Sequence, residues 1–175
     1  AYEIILRHIL NNNTDYNIKA ANELAKAAGC TGMVAGQSLD LYNENNPLAG
    51  EKDLFYIHEH KTGKLICAAL TMGAYASCAS ESGIETIRKT GEELGILFQI
   101  TDDILDVVGD LSNLGKSTGK DDASNKLTYP KIFGLEKSRE LAKQSADKII
   151  SLLDSCGKNA EFLKEITLNM LNRNK

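Results

Sequence analysis

The chain reads as all-α, a bundle of long helices, and three observations predict this. Apolar residues recur at steps of three and four along most of its length. No stretch shows the period-two alternation, bounded by tight turns, that marks half-buried strands. Only two prolines occur in 175 residues, which leaves long helices uninterrupted.

The first helix runs to about Leu10 through Tyr2, Ile4, Ile5, Leu6 and Ile9, and no N-cap residue precedes it. Residues 11–14 form a turn, with Thr14 or Asp15 capping the next helix. That helix carries Ile18, Ala21, Leu24, Ala25 and Ala28, and continues through Met33, Val34, Leu39 and Leu41. Gly29, Gly32 and Gly36 lie inside it at small-residue spacings. Residues 43–50, with Pro47, read as a loop. Asp53 is expected to cap a helix reaching about Ser80, its core face built from Leu54, Ile57, Leu65, Ala68, Ala69, Met72 and Tyr75. Ser82-Gly83 breaks the pattern. A further helix over 84–108 carries Ile87, Leu94, Leu97, Phe98, Ile100, Ile104 and Leu105. Residues 109–127 are polar and rich in Gly, Lys, Asp and Asn, a loop of a length that is uncommon unless functional. Amphipathic helices over 135–156 and 160–172 close the chain. No repeat or linker interrupts it, so residues 1–175 read as one domain.

Charge and composition exclude several classes. Twenty Lys and Arg against 24 Asp and Glu leave a net charge of −4, with no bulk reason to bind nucleic acid. Any bound anion must be held by a few placed cations. No apolar run reaches transmembrane length, and no basic-then-apolar signal opens the chain. The four cysteines, Cys30, Cys67, Cys78 and Cys156, form no CxxC pair, and read as small apolar residues of a reducing, cytoplasmic compartment.

The strongest local signal is Phe98-Gln99-Ile100-Thr101-Asp102-Asp103-Ile104-Leu105-Asp106. Asp102 and Asp106 are four apart and share a helix face, with Asp103 close to it. Three carboxylates on an otherwise apolar helix repel one another and lose hydration unless a cation compensates. Carboxylate oxygens with little else suit magnesium, which keeps several waters and takes phosphate oxygens beside them. A solvated acidic face is the alternative for this triplet alone. Downstream, Leu114-Gly115-Lys116-Ser117-Thr118-Gly119-Lys120, followed by Lys126, supplies glycines, hydroxyls and ammonium groups suited to a diphosphate leaving group, although taken alone these lysines read as solvated surface charges. Lys61-Thr62-Gly63 places an ammonium and a hydroxyl inside an apolar helix, as a phosphate contact or as a snorkelling surface lysine. His58 and His60 flank it, two apart and so diverging on a helix, and receive no metal role. Gln37 and Asp40 are polar positions in an apolar helix, either a satisfied interhelical pair or ligand-facing groups.

These motifs, in this order, resemble the trans-isoprenyl diphosphate synthases, the bacterial farnesyl diphosphate synthases and related geranylgeranyl synthases in particular. The matching stretches are Gly32-Met33-Val34-Ala35-Gly36-Gln37-Ser38-Leu39-Asp40-Leu41, His60-Lys61-Thr62-Gly63 and residues 98–110. Leu114-Gly115-Lys116, Lys126-Leu127-Thr128-Tyr129-Pro130 and Arg173-Asn174-Lys175 follow. The likeness covers essentially the whole chain. It implies an isoprenoid synthase fold, a bundle of antiparallel helices around a deep central cavity, as a homodimer. It implies condensation of isopentenyl diphosphate with an allylic diphosphate, farnesyl diphosphate being the expected product and geranylgeranyl diphosphate the alternative. By the same likeness, Asp102, Asp103 and Asp106 are the second of two aspartate-rich motifs that hold three magnesium ions, with manganese as a substitute. Lys61, Thr62, Gln99, Lys116 and Lys126 contact the allylic diphosphate, Lys61, Lys116 and Asp102 act in its departure, and Phe98 and Gln37 line the pocket near the reacting carbons. The first aspartate-rich motif and its arginine pair have no counterpart in the 175 residues, so the chain is expected to be the C-terminal part of a longer polypeptide, lacking the first helices and inactive alone. A terpene cyclase shares the implied fold, but 6% aromatic residues and no tryptophan suit it poorly, since cyclases steer cations with aromatic faces. A non-catalytic helical subunit is the third reading, and retention of all three aspartates speaks against it.

Overall fold

In the computed structural model, residues 2–44, 46–113 and 126–173 are described. Helices α1 (Tyr2–Asn11), α2 (Asp15–Ala28), α3 (Met33–Asn43) and α4 (Glu51–His58) lead into a π-helical turn, Glu59–Gly63. Helices α5 (Lys64–Ala76), α6 (Glu81–Asn113), α7 (Tyr129–Phe133), α8 (Leu135–Asp154) and α9 (Glu161–Leu171) follow, with a 3-10 turn, Gly157–Ala160, before the last. No strand occurs among the described residues. The fold is the all-α bundle that the periodicity predicts.

Helix α6, 33 residues and therefore about 50 Å long, is the axis of the bundle. It packs α5 on one side and α8 on the other, with α2 laid on α5 and α9 on α8. Between α6 and α8 lies the core. Leu94, Leu97 and Ile100 meet Ala142, Ala146, Ile149 and Leu153, and Leu54, Tyr129 and Ala160 close the cluster. Leu54, Leu97, Ile149 and Leu153 are wholly removed from water, each contributing roughly 1.5–3 kcal/mol. Small residues on α8, among them Ser138, Ala142 and Ala146, let it approach closely. The buried hydroxyls of Thr71, Thr90, Thr101 and Thr167 donate to carbonyls one turn earlier, at 2.8–2.9 Å, so none is left unpaired.

The structure departs from the periodicity at several boundaries. The helix expected across 15–41 is two helices. Gly29 takes an extended conformation after α2 and Gly32 opens α3, and the chain folds so tightly there that a Cβ on Gly32 would overlap the carbonyl of Ala27. Asp53 does serve the start of α4, but from its third position, where Oδ2 accepts the Gly50 N–H at 3.0 Å. The helix expected to reach Ser80 ends at Ala76, and Cys78 follows in the left-handed region at φ +53°. Ser80 then caps α6, its Oγ accepting the Gly83 N–H at 3.2 Å, so Ser82-Gly83 lies inside the first turn of α6 and is not a break. Residues 109–113, expected in a loop, continue α6, and residues 114–125 of that expected loop lie outside the described residues. Tyr129-Pro130, expected as a turn, opens the short helix α7, with Thr128 as its N-cap and proline in its first turn.

The π turn is the feature that positions functional groups. It inserts one residue into an otherwise continuous α4–α5 rod, and such insertions are frequent at functional sites. Glycines on two neighbouring helices admit it. A Cβ on Gly36 of α3 would overlap the backbone of Lys61, and one on Gly95 of α6 would stand 2.7 Å from the Cα of Gly63.

Candidate functional site

Three elements converge beside the π turn. Helix α6 supplies Phe98, Gln99, Asp102, Asp103 and Asp106, the π turn supplies Lys61 and Thr62, and α3 supplies Gln37 and Asp40. The buried imidazole of His58 lies among them, close enough to Asp40, Lys61 and Asp102 for each charge to bear on its titration. Lys61 Nζ donates to Asp40 Oδ2 at 2.5 Å, with both side chains about a quarter to a third exposed. Asp40 is therefore the ionic partner of Lys61, reaching from α3 to the π turn. Gln37, Thr62, Phe98 and Gln99 are half-buried on the same converging elements.

The three aspartates divide in two ways. Asp102 is half exposed, Asp106 is exposed, and they stand one helical turn apart. Asp103 is buried, at 8% exposure, and its Oδ2 accepts the Tyr129 N–H at 2.8 Å. Burial, offset in part by this hydrogen bond and reinforced by the charges of Asp102 and Asp106, pushes its carboxyl up to about 7. The His58 Nε2 lies 3.8 Å from the same oxygen. That distance is too long for a hydrogen bond, and burial pushes the imidazole down to about 4. The contact is thus no ion pair at neutral pH, because His58 is uncharged there. His58 Nδ1 is buried without a hydrogen-bond partner. The two histidines diverge as the spacing predicts, His60 stacking on Tyr56 with ring centroids 3.9 Å apart.

Sequence reading did not anticipate three participants. Arg173, noted only as part of a terminal motif, donates from Nη2 to Asp102 Oδ1 at 3.0 Å and lies over Phe98, with Cζ 5.8 Å from the ring centroid. Tyr129 and His58 enclose Asp103, their rings 5.4 Å apart. Nothing in local sequence marks Tyr129 except its place ahead of Pro130. Lys126 is exposed, three residues before Tyr129, and its charge reaches Asp103. Lys116 lies outside the described residues.

Among the described residues, no group of three or more His, Cys, Asp or Glu side chains forms a ready-made metal cage. The donors nevertheless fit a hard divalent cation. Asp102 and Asp106 offer carboxylate oxygens alone, accessible to water and to phosphate, which is how magnesium is commonly held. The cationic Arg173 already on Asp102 shows that this carboxylate draws positive charge. A cavity of about 520 Å³ is bordered by His58 and Tyr129, but not by Lys61, Asp102 or Asp106, so it does not enclose the site. No helix among the described residues is long and apolar enough to cross a membrane.

Comparison with known proteins gives a consistent result. A family model described as polyprenyl synthetase matches residues 1–167. The chloroplastic heterodimeric geranylgeranyl pyrophosphate synthase large subunit 1 of Arabidopsis thaliana is 48% identical over 129 residues, 73% of this chain and 35% of that protein. The crystal structure of a geranyltransferase from Legionella pneumophila superposes with a TM-score of 0.81 at 28% identity, covering 99% of this chain and 56% of that one. A Helicobacter pylori geranyltransferase complexed with magnesium and isoprenyl diphosphate gives 0.69 at 34% identity, covering 90% and 51%. The chain thus spans about a third of the length of such curated relatives and about half that of such solved structures.

Proposed function

The chain belongs to the polyprenyl synthetase family, and from that premise we propose that it forms the allylic-diphosphate wall of a magnesium-dependent trans-prenyltransferase. The observation that carries this reading is the convergence of Lys61 and Asp102, from two elements 41 residues apart in sequence by their numbering, around the buried His58. A placed ammonium and a half-exposed carboxylate on neighbouring elements suit a diphosphate that would sit beside a divalent cation.

Magnesium, when bound, supplies positive charge that steadies the departing diphosphate. Of the three aspartates, Asp102 and Asp106 are the residues that would hold it. Lys61 and Thr62 meet phosphate oxygens, with Lys61 held ready by Asp40. Gln99, Lys126 and Lys116 add donors, and Phe98 and Gln37 line the approach to the reacting carbons. The allylic carbon–oxygen bond breaks and its electron pair leaves with the diphosphate. The double bond of isopentenyl diphosphate supplies the pair for the new carbon–carbon bond, and a proton passes to the released diphosphate. Preplaced charge on the leaving group is the protein's main contribution.

The product is a prenyl diphosphate of fifteen or twenty carbons. The overall likeness of the sequence to bacterial farnesyl diphosphate synthases favours fifteen, whereas the 48% identity with a geranylgeranyl synthase favours twenty. The 175 residues hold no counterpart of a first aspartate-rich motif, so this chain is expected to bind an allylic diphosphate but not to elongate it.

Titration calorimetry with geranyl S-thiolodiphosphate tests the reading. Binding should require magnesium and fall by orders of magnitude in Asp102→Ala. Equal binding in EDTA, or by the variant, would refute it.

A further inference from the structure

Asp103 is set apart from the other two aspartates by where its carboxylate goes. It is 8% exposed, and Oδ2 accepts the backbone N–H of Tyr129, the first residue of α7. That N–H has no intrahelical partner, as at any helix start. The next residue is Pro130, which has no N–H, and the Lys131 N–H is taken by Thr128 Oγ1 at 3.4 Å. The bond thus joins α6 to the head of α7 across 26 positions. Side chains seal it. The Tyr129 ring packs on His58 at 5.4 Å, on Phe55 at 6.0 Å and on Phe133 at 5.8 Å, and Tyr129 is itself 4% exposed. A carboxylate so enclosed has little room for the waters and phosphate oxygens that surround a magnesium ion.

We propose that Asp103 is a positioning residue and not a metal ligand: it fastens the head of α7 to α6 and so sets where Lys126 stands relative to Asp102 and Asp106. The consequence for the diphosphate rests on the prenyltransferase reading, but the fastening does not. Lys126 is only three residues from the fixed Tyr129 amide, so its reach toward the face of α6 is set by that anchor. The metal is left to Asp102 and Asp106, which are open to solvent.

Two variants of Asp103 separate the roles. Asp103→Asn keeps an oxygen for the Tyr129 N–H but is a poor magnesium ligand, whereas Asp103→Ala loses both. Amide exchange at Tyr129 is followed by NMR in the full chain, and the magnesium midpoint for binding geranyl S-thiolodiphosphate by calorimetry, with Asp102→Asn as reference. Asp103→Asn should keep slow exchange at Tyr129 and a midpoint within about twofold of the parent, while Asp103→Ala should speed exchange about tenfold or more, as loss of one hydrogen bond implies. Asp103→Ala should also weaken the analogue severalfold without moving the midpoint, whereas Asp102→Asn moves it. Unchanged exchange in Asp103→Ala, or a midpoint in Asp103→Asn shifted as far as in Asp102→Asn, would overturn the proposal. If the parent itself binds no analogue in magnesium, the prenyltransferase reading fails, and the exchange data still decide whether Asp103 fastens α7.

Discussion

His58 and Asp103 are buried together with opposite titration shifts, and the signs can be worked out. Asp103 titrates at about 7 in the fold against an ordinary 3.8. The folded chain therefore holds the extra proton between those values, and stability from this group falls as pH rises from 4 to 7. His58 titrates at about 4 against an ordinary 6.5. The unfolded chain holds the extra proton there, so this contribution is complete above 6.5 and is lost as pH falls toward 4. The two slopes oppose each other. In metal-free protein, His58→Gln removes only the second, so the melting temperature of the variant minus that of the parent should climb as pH drops from 6.5 to 4. A difference flat across that range, measured by calorimetry, would mean that His58 does not titrate as its burial dictates. Lys126, by contrast, is exposed. Lys126→Ala should leave thermal stability within about 0.5 kcal/mol and weaken magnesium-dependent diphosphate binding severalfold. A large fall in melting temperature would assign it a structural role instead.

The helices themselves were mostly legible in the sequence, because a three-and-four apolar rhythm follows directly from burying one face. What the rhythm did not reveal was where two helices meet end to end. The pattern from Ile18 to Leu41 runs on through Gly29 and Gly32, yet the backbone turns there, where a Cβ on Gly29 would crowd the Ala25 carbonyl and one on Gly32 would overlap that of Ala27. The π turn is equally hidden, since one inserted residue shifts the apolar face without ending it. Its cause lies in tertiary contact, with Gly36 beneath Lys61 and Gly95 against Gly63. A substitution at this level has a defined sign. Gly36→Ala places a methyl in the Lys61 backbone and should cost about 1–3 kcal/mol, as overpacking does, while displacing Lys61 and weakening diphosphate binding. Gly73→Ala in α5 meets nothing within 4 Å and should instead stabilise by roughly 0.5–1 kcal/mol. Urea unfolding of the two variants checks both. Equal effects would mean that helix propensity, and not close approach, governs Gly36.

Across the whole molecule, burial is uneven. The α6–α8 side holds the core, whereas α1 buries no residue. Ile4 is 71% exposed, Leu6 59% and Leu10 84%, and Ile18, Val34 and Leu41 on α2 and α3 are about half exposed. The periodicity of α1 correctly announced an amphipathic helix, but no pattern along one chain names the surface that covers its apolar face. For the candidate site the limit is similar. The DDxxD spacing put Asp102 and Asp106 on one helix face with Asp103 close to it, but the separate burial of Asp103 depends on Tyr129, 26 positions away. Apolar side chains this exposed on three successive helices exceed what isolated surface residues explain, and such patches mark surfaces that associate. The 175-residue chain is therefore expected to self-associate through the α1–α3 side. Sedimentation velocity should show species larger than a monomer, in proportions that rise with concentration. Replacing Ile4 and Leu10 with serine should shift the distribution toward monomer while leaving the melting temperature of the α6–α8 core nearly unchanged, because neither side chain is buried in the fold. A parent chain that stays monomeric over a wide concentration range would show that these residues are tolerated in water, and the expectation of a dimer would lose its physical basis.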